Sequence, residues 1–184
     1  MANRAPGSLG LVQDFVNTWE VDTGTDRLAT AGGLSGWLDE RGLLRGGPAG
    51  EADRLLAVAL REALRGLLLA NNGGEAREAD LALIDRVAAG SGLRPRFRPQ
   101  GRVALEPDAP GVPGALGRLL AVVHDAMNDG TWGRLKACAD GACQWVFYDR
   151  SKNRSGHWCS MEVCGNRAKA RQFRRRRRSS RPTP

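Results

Sequence analysis

The chain has no run of eighteen apolar residues, so no segment is expected to span a bilayer. Its opening stretch, MANRAPGSLGLVQDF, has one early Arg but no apolar core, and Gln13 and Asp14 interrupt the apolar residues around them. A secretory leader is therefore not expected, and the sequence places the protein in the cytoplasm. There is no glycine-rich phosphate loop, no nucleophile elbow and no HExxH pair, so those three routes to catalysis lack their residues and an enzyme is not expected. Heptads and internal repeats are absent as well. Lysine is scarce: of 28 basic residues only Lys136, Lys152 and Lys169 are not arginine. With abundant Ala and Gly, that bias is associated with GC-rich bacterial genomes. Cysteine is missing from the whole first two thirds.

What is present divides the chain in two. Its 184 residues fit one domain, or one domain with a small module, and 41% hydrophobic content can bury a core. Residues 1–133 carry 14 Arg against 17 acidic residues, a net charge of −3. Residues 134–184 carry 14 basic residues against Asp140, Asp149 and Glu162, a net charge of +11, and hold all four cysteines. A near-neutral body is followed by a basic, cysteine-bearing end.

The body reads as mainly helical. In EADRLLAVALREALRGLLLANN, the pairs Leu55/Leu56, Ala59/Leu60, Ala63/Leu64 and Leu67/Leu68 recur every four residues and predict an amphipathic helix. Asn71-Asn72-Gly73-Gly74 should end it. A shorter helix is expected with Leu81, Ile84 and Val87/Ala88 inward. Another spans Pro113 to Asn128 with Leu116, Leu119/Leu120, Val123 and Met127 on one face. Thr30 should cap a helix through Leu34, Trp37 and Leu38. LRPRFRPQGRVALEP predicts a hairpin, its first arm confined to an edge by Pro95 and Pro99. His124, in an apolar helix without a Cys or second His nearby, reads as structural. Asp14, Asn17 and Thr18, beside Phe15 and Trp19, either line a ligand pocket or cap and order the first helix.

The cysteines stand at Cys138, Cys143, Cys159 and Cys164, two C-x4-C pairs separated by fifteen residues. Two close pairs around a short insert can bring four thiolates to one tetrahedral ion, and zinc is the expected cofactor. Disulfides suit exported chains, which this one does not resemble. His157 is the one alternative ligand in this segment. With four cysteines the ion has no open position, so the zinc is expected to be structural. Within the insert, Gln144 to Tyr148 predicts a strand leaving the first pair, Asp149 to Gly156 a polar turn, and His157-Trp158 the return. The second pair should open a basic helix, whose free N–H groups face the thiolates. The fold class is α+β: a mainly helical N-terminal domain with a small β-hairpin, then a treble-clef-like zinc finger with a basic C-terminal helix. The division is 1–133 for the body, 134–178 for the finger and 179–184 for a disordered tail.

The cysteine pairs, with WVFYDRSKNRSGHWCSMEVCGNRAKAR, resemble the CGNR zinc finger, whose name is spelled by Cys164-Gly165-Asn166-Arg167. In such proteins the finger follows an ABATE domain, and the DFVNT stretch from Asp14 to Thr18 and the helices after it are similar to that domain. The resemblance implies a stress-induced type of bacterial transcription regulator with zinc on the four cysteines.

The basic residues suggest the partner. Arg167, Arg171, Arg174 and Arg178 share one helical face, Arg175 and Lys169 add to it, and Arg150, Lys152, Asn153 and Arg154 form a second group on the insert's turn. DNA is the expected partner, contacted at about six to eight phosphates. Asn166 and Arg167 either read base edges or cap the helix and support the knuckle. RNA is the alternative, with Trp145, Phe147, Tyr148 and Trp158 as stacking platforms unless they form the finger's core. An acidic protein is the third candidate. A small-molecule effector and a second copy of the chain complete the expected partners; a membrane is not among them.

Overall fold

The computed structural model describes residues 3–179, with side chains for all of these except Gln100 and residues 175–179. Helix α1 (Leu9–Val16) leads into a tight ribbon of β1 (Trp19–Glu20) and β2 (Thr25–Asp26), which pair antiparallel. Thr30 then caps α2 (Ala31–Asp39), its Oγ1 accepting from the Gly33 amide at 3.0 Å. Helix α3 (Glu51–Ala70) opens with Glu51 and Asp53 at its positive end, and Asp53 accepts the Gly50 amide at 2.9 Å. Its C-cap is Asn71. Helix α4 (Glu78–Ser91) ends at Gly92, whose φ of 64° is a left-handed value that glycine adopts without steric cost. The predicted hairpin is β3 (Leu93–Arg98) and β4 (Arg102–Pro107), in register from Leu93↔Pro107 to Arg98↔Arg102. Helix α5 (Gly111–Asn128) comes next.

The core lies where α1, α2, α3 and α5 meet. Val12, Phe15 and Val16 pack with Leu34, Trp37 and Leu38, with Leu60, Leu64 and Leu68, and with Leu116 and Leu119. The Phe15 and Trp37 rings lie 5.3 Å apart, tilted by 56°. The same core continues into the basic end. There β5 (Leu135–Ala137) and β6 (Val146–Tyr148) contribute Leu135, Ala137, Val146 and Tyr148.

Three expectations about helix faces need correction. Leu55, Leu81 and Met127, expected inward, are exposed. Each lies close to a helix end, beyond the packed middle. Conversely Arg61 and Arg65, charged residues that fall between the apolar pairs of α3, are 3% and 2% exposed. Burial of a guanidinium requires acceptors for its donors, and both have them. Arg61 pairs with Asp26 at 2.6 and 3.0 Å, while Arg65 donates to the Val16 and Trp19 carbonyls and to Glu62. Among the described residues no helix is long and apolar enough to cross a membrane.

Candidate metal centre and basic helix

The strand leaving the first cysteine pair forms as expected, but its partner is not the return segment. β6 pairs antiparallel with β5, which precedes the pair, so Cys138–Cys143 is itself the hairpin turn. Two further bonds tighten that turn: Cys138 N to Trp145 O at 3.0 Å and Cys143 N to Asp140 O at 2.8 Å. Gln144 sits at φ 50°, and its carbonyl is held by Arg65 at 3.0 Å. The return segment joins through Ala139 N to His157 O at 3.0 Å.

The sulfur atoms of Cys138, Cys143, Cys159 and Cys164 all lie within 4.8 Å of one another. Cys143 and Cys159 are 3.6 Å apart and Cys159 and Cys164 3.7 Å, far beyond a disulfide bond. Four thiolates at the usual zinc–sulfur length of about 2.3 Å would lie about 3.8 Å apart, so this cluster fits a tetrahedral zinc. The electrostatics agree. Hydrogen bonds from the Cys143 and Cys159 thiols, then backbone amides, hold the Cys138 thiol down at about 2. Burial first, and then Cys143 and Cys138, push Cys164 up to about 12, against a hydrogen bond with Cys159 that lowers it. Without a cation the cluster cannot carry four thiolates; a divalent ion offsets that repulsion. His157 is not in the cluster, its Nδ1 instead lying 2.7 Å from Asn72 Oδ1.

A wide π-helical turn, Met161–Gly165, carries Cys164 into α6 (Asn166–Ser179). Ser160 caps it, its Oγ accepting from the Val163 amide. Each residue after Cys164 has a local task. A Cβ on Gly165 would lie 2.5 Å from Met161 Sδ and 3.3 Å from Trp158 Cδ1, so glycine lets the turn close on those side chains. Asn166 donates to the Glu162 carbonyl at 2.8 Å. Arg167 and Arg171 approach the buried Asp140 of the first pair, at 3.9 and 3.2 Å. Lys169 and Arg174 are exposed, and Arg174 Nε donates to Ala170 O. The side chains of Arg175 and Arg178 lie outside the described residues, as does the tail from residue 180 onward.

The second basic group sits on a loop built around an ion pair that sequence reasoning missed. Lys136 is 3% exposed and donates to Asp149 at 2.9 Å, to the Gly156 carbonyl at 3.1 Å and to the Arg154 carbonyl. Burial alone would raise the Asp149 carboxyl; Lys136, Ser151 and the Gly156 amide instead hold it well below the ordinary range. A lysine between two apolar residues of a strand was the available signal. Around this pair the loop exposes Lys152, Asn153 and Arg154, the last at φ 53°. Arg150 bends back over the Tyr148 ring and donates to the Arg4 carbonyl at 3.0 Å. Phe147 and Tyr148 are buried, whereas Trp145 and Trp158 half-cover the cysteine cluster.

The body's three singled-out polar residues have separate settings. Asp14 forms a bidentate pair with Arg4. Asn17 acts as an extra strand partner for β6: its Oδ1 accepts Val146 N at 2.8 Å and its Nδ2 donates to Val146 O at 2.9 Å. Thr18 is buried, donates to the Phe15 carbonyl and accepts from Arg61. Asp14 and Asn17, but not Thr18, line a cleft of about 640 Å³ with Arg4, Arg27, Arg41 and Trp145. On the other side, Asn71 reaches the Trp132 and Leu135 carbonyls and Asn72 those of Ala137 and His157. Body side chains thus hold the finger's backbone from both flanks. His124 is half-exposed on α5 beside Asp125 and Asn128.

A family model described as ABATE, putative stress-induced transcription regulator, matches residues 9–129. The CGNR zinc finger model matches residues 134–177. No curated protein matches the chain significantly.

Proposed function

We propose that this chain, which belongs to the ABATE family and ends in a CGNR zinc finger, regulates transcription by binding duplex DNA through α6. The observation that carries this reading is the rooting of an arginine-rich helix in the four-cysteine cluster, with Arg167, Lys169, Arg171 and Arg174 exposed along it. Zinc on Cys138, Cys143, Cys159 and Cys164 would fix the base of α6, and phosphates would neutralise its repelling guanidiniums. On this reading the ion is structural, since four cysteines leave it no position for water. RNA is less favoured, because two of the four rings that could stack on bases, Phe147 and Tyr148, are buried, and the other two, Trp145 and Trp158, pack against the cysteine cluster.

The cleft beside Asn17 supports a second element, a small polar effector. Its volume falls in the range of ligand sites, and it borders the Asn17–Val146 joint with the finger. A metabolite that raises the melting temperature of wild type but not of Asp14→Ala would support this.

Sequence enrichment from a random duplex library by the zinc-loaded protein tests the main reading. A recovered motif is expected. Retained binding without any motif would contradict sequence-directed regulation and leave only phosphate contact. Replacing Arg174 to Arg178 with alanine should weaken binding to all duplexes alike; a loss confined to one sequence would contradict a phosphate role for that block.

A further inference from the structure

Asp140 is buried to 2% exposure in the turn between Cys138 and Cys143, yet only one of its oxygens is hydrogen-bonded. Oδ1 accepts the Ala142 amide at 3.3 Å and faces Arg171 at 3.2 Å. Oδ2 has no hydrogen-bond partner, and Arg167 Nη1 stands 3.9 Å from it. A buried carboxylate with an unsatisfied oxygen is costly, and a guanidinium just beyond bonding distance is the group placed to relieve it. Both arginines are about half-exposed, so each has donors facing outward while one side of its fork is directed at Asp140.

We infer that Asp140 is a positioning residue for sequence reading: it fixes the orientation of Arg167, with Arg171 steadied beside it, so that the outer edge of the Arg167 fork meets guanine. This rests on the DNA-binding reading. An arginine on a free stem spends most of its rotamers away from a base edge; one buttressed by a carboxylate is pre-set for the bidentate contact to O6 and N7. The buttress comes from the first cysteine pair and the arginine from the helix after the second. The metal cluster therefore links the two halves of the reading device.

The test is enrichment from a random duplex library by zinc-loaded wild type, Asp140→Asn, Arg167→Lys and the double variant, with bound zinc measured for each. Asn keeps the shape of Asp140 and its bond from Ala142, so the turn should persist with full zinc. At one G position of the motif, Asp140→Asn should lower preference about tenfold, while affinity for unrelated duplex is kept or raised. Arg167→Lys should lose the same position, and the double variant should lose no more than either single. An unchanged motif in Asp140→Asn overturns the inference and leaves DNA binding standing. Uniform weakening on every sequence also overturns it, in favour of a structural role. Absence of any motif with wild type overturns both. Should Asp140→Asn lose zinc, Arg167→Lys on the exposed helix decides: full retention of the G preference overturns the inference, and its loss supports it.

Discussion

Arg61 and Arg65 show how burial and charge coexist in one helix. Arg61 places three of its N–H groups on Asp26 and Thr18, and Arg65 spends its own on carbonyls from α1, β1 and the finger. Burial alone would raise the Asp26 carboxyl, but hydrogen bonds from Arg61 and Leu28 overcome that and hold it below its usual 3.8. The folded state therefore binds this proton less tightly than the unfolded one. The contribution is complete above pH 3.8 and is lost as pH falls through the lower folded value. Asp26→Asn should cost about 2 kcal/mol at neutral pH, because it removes the bidentate carboxylate from the buried Arg61 and leaves it only the half-exposed Glu62, 2.8 Å from its Nε, as counter-charge. The difference in melting temperature between wild type and Asp26→Asn, followed from pH 7 downward, should stay level and then shrink below pH 3.8. A constant gap into that range would contradict the ion pair. Loss of zinc in acid affects both proteins and cancels in the comparison.

At the scale of elements, the joint between body and finger is made by side chains bonding to backbone. Asn17 satisfies both polar groups of Val146, and Gln13 adds a second donor to the Val146 carbonyl at 3.0 Å. Asn17→Ala would orphan the Val146 amide in a buried position, at about 1–3 kcal/mol. Hydrogen exchange at Val146 should accelerate sharply, with exchange in the middle of α3 less affected; unchanged protection would show that the asparagine is dispensable. This joint marks the boundary of what the sequence made legible. Helices α2, α3, α4 and α5 were readable from apolar period and end signals, and the β3–β4 hairpin from its alternation and Pro99-Gln100-Gly101 turn. The cysteine cluster was readable from spacing alone. Asn17 and Asn72 read locally as helix caps, because nothing in a linear sequence shows a carbonyl more than sixty residues away. Lys136 and Asp140 escaped for a similar reason: each is a charged residue whose burial depends on a distant partner. The pairing of β6 with β5 rather than with the return segment was equally hidden, since residues 157 and 158 fit an extended strand end as well as Leu135–Ala137 do.

At the scale of the whole molecule, two apolar clusters among the described residues divide the work. The larger one runs through the helices into β5 and β6, whereas Cys138, Cys143 and Cys164 form a small cluster with Trp145 and Trp158. Cys164→Ser should therefore lose stoichiometric zinc and release α6 while most helical circular dichroism of the body persists; retention of the metal by elemental analysis would contradict the ligand set. The charge of the chain is arranged to match, with −3 on residues 1–133 and +11 on residues 134–184. Such a division favours an anionic partner at the finger and leaves the body too weakly acidic to occupy it.

On the proposed reading, zinc sets the basic helix against a polyanion, and a salt titration of duplex binding by zinc-loaded and chelated protein tests that directly. For the loaded protein, six to eight phosphate contacts predict that log K falls against log salt with a slope of about −5 to −7. The chelated protein should bind more weakly, with a clearly shallower slope. Equal affinity and equal slope in the two states would mean that the arginines act as an unstructured cationic segment, and that the metal centre has no part in binding.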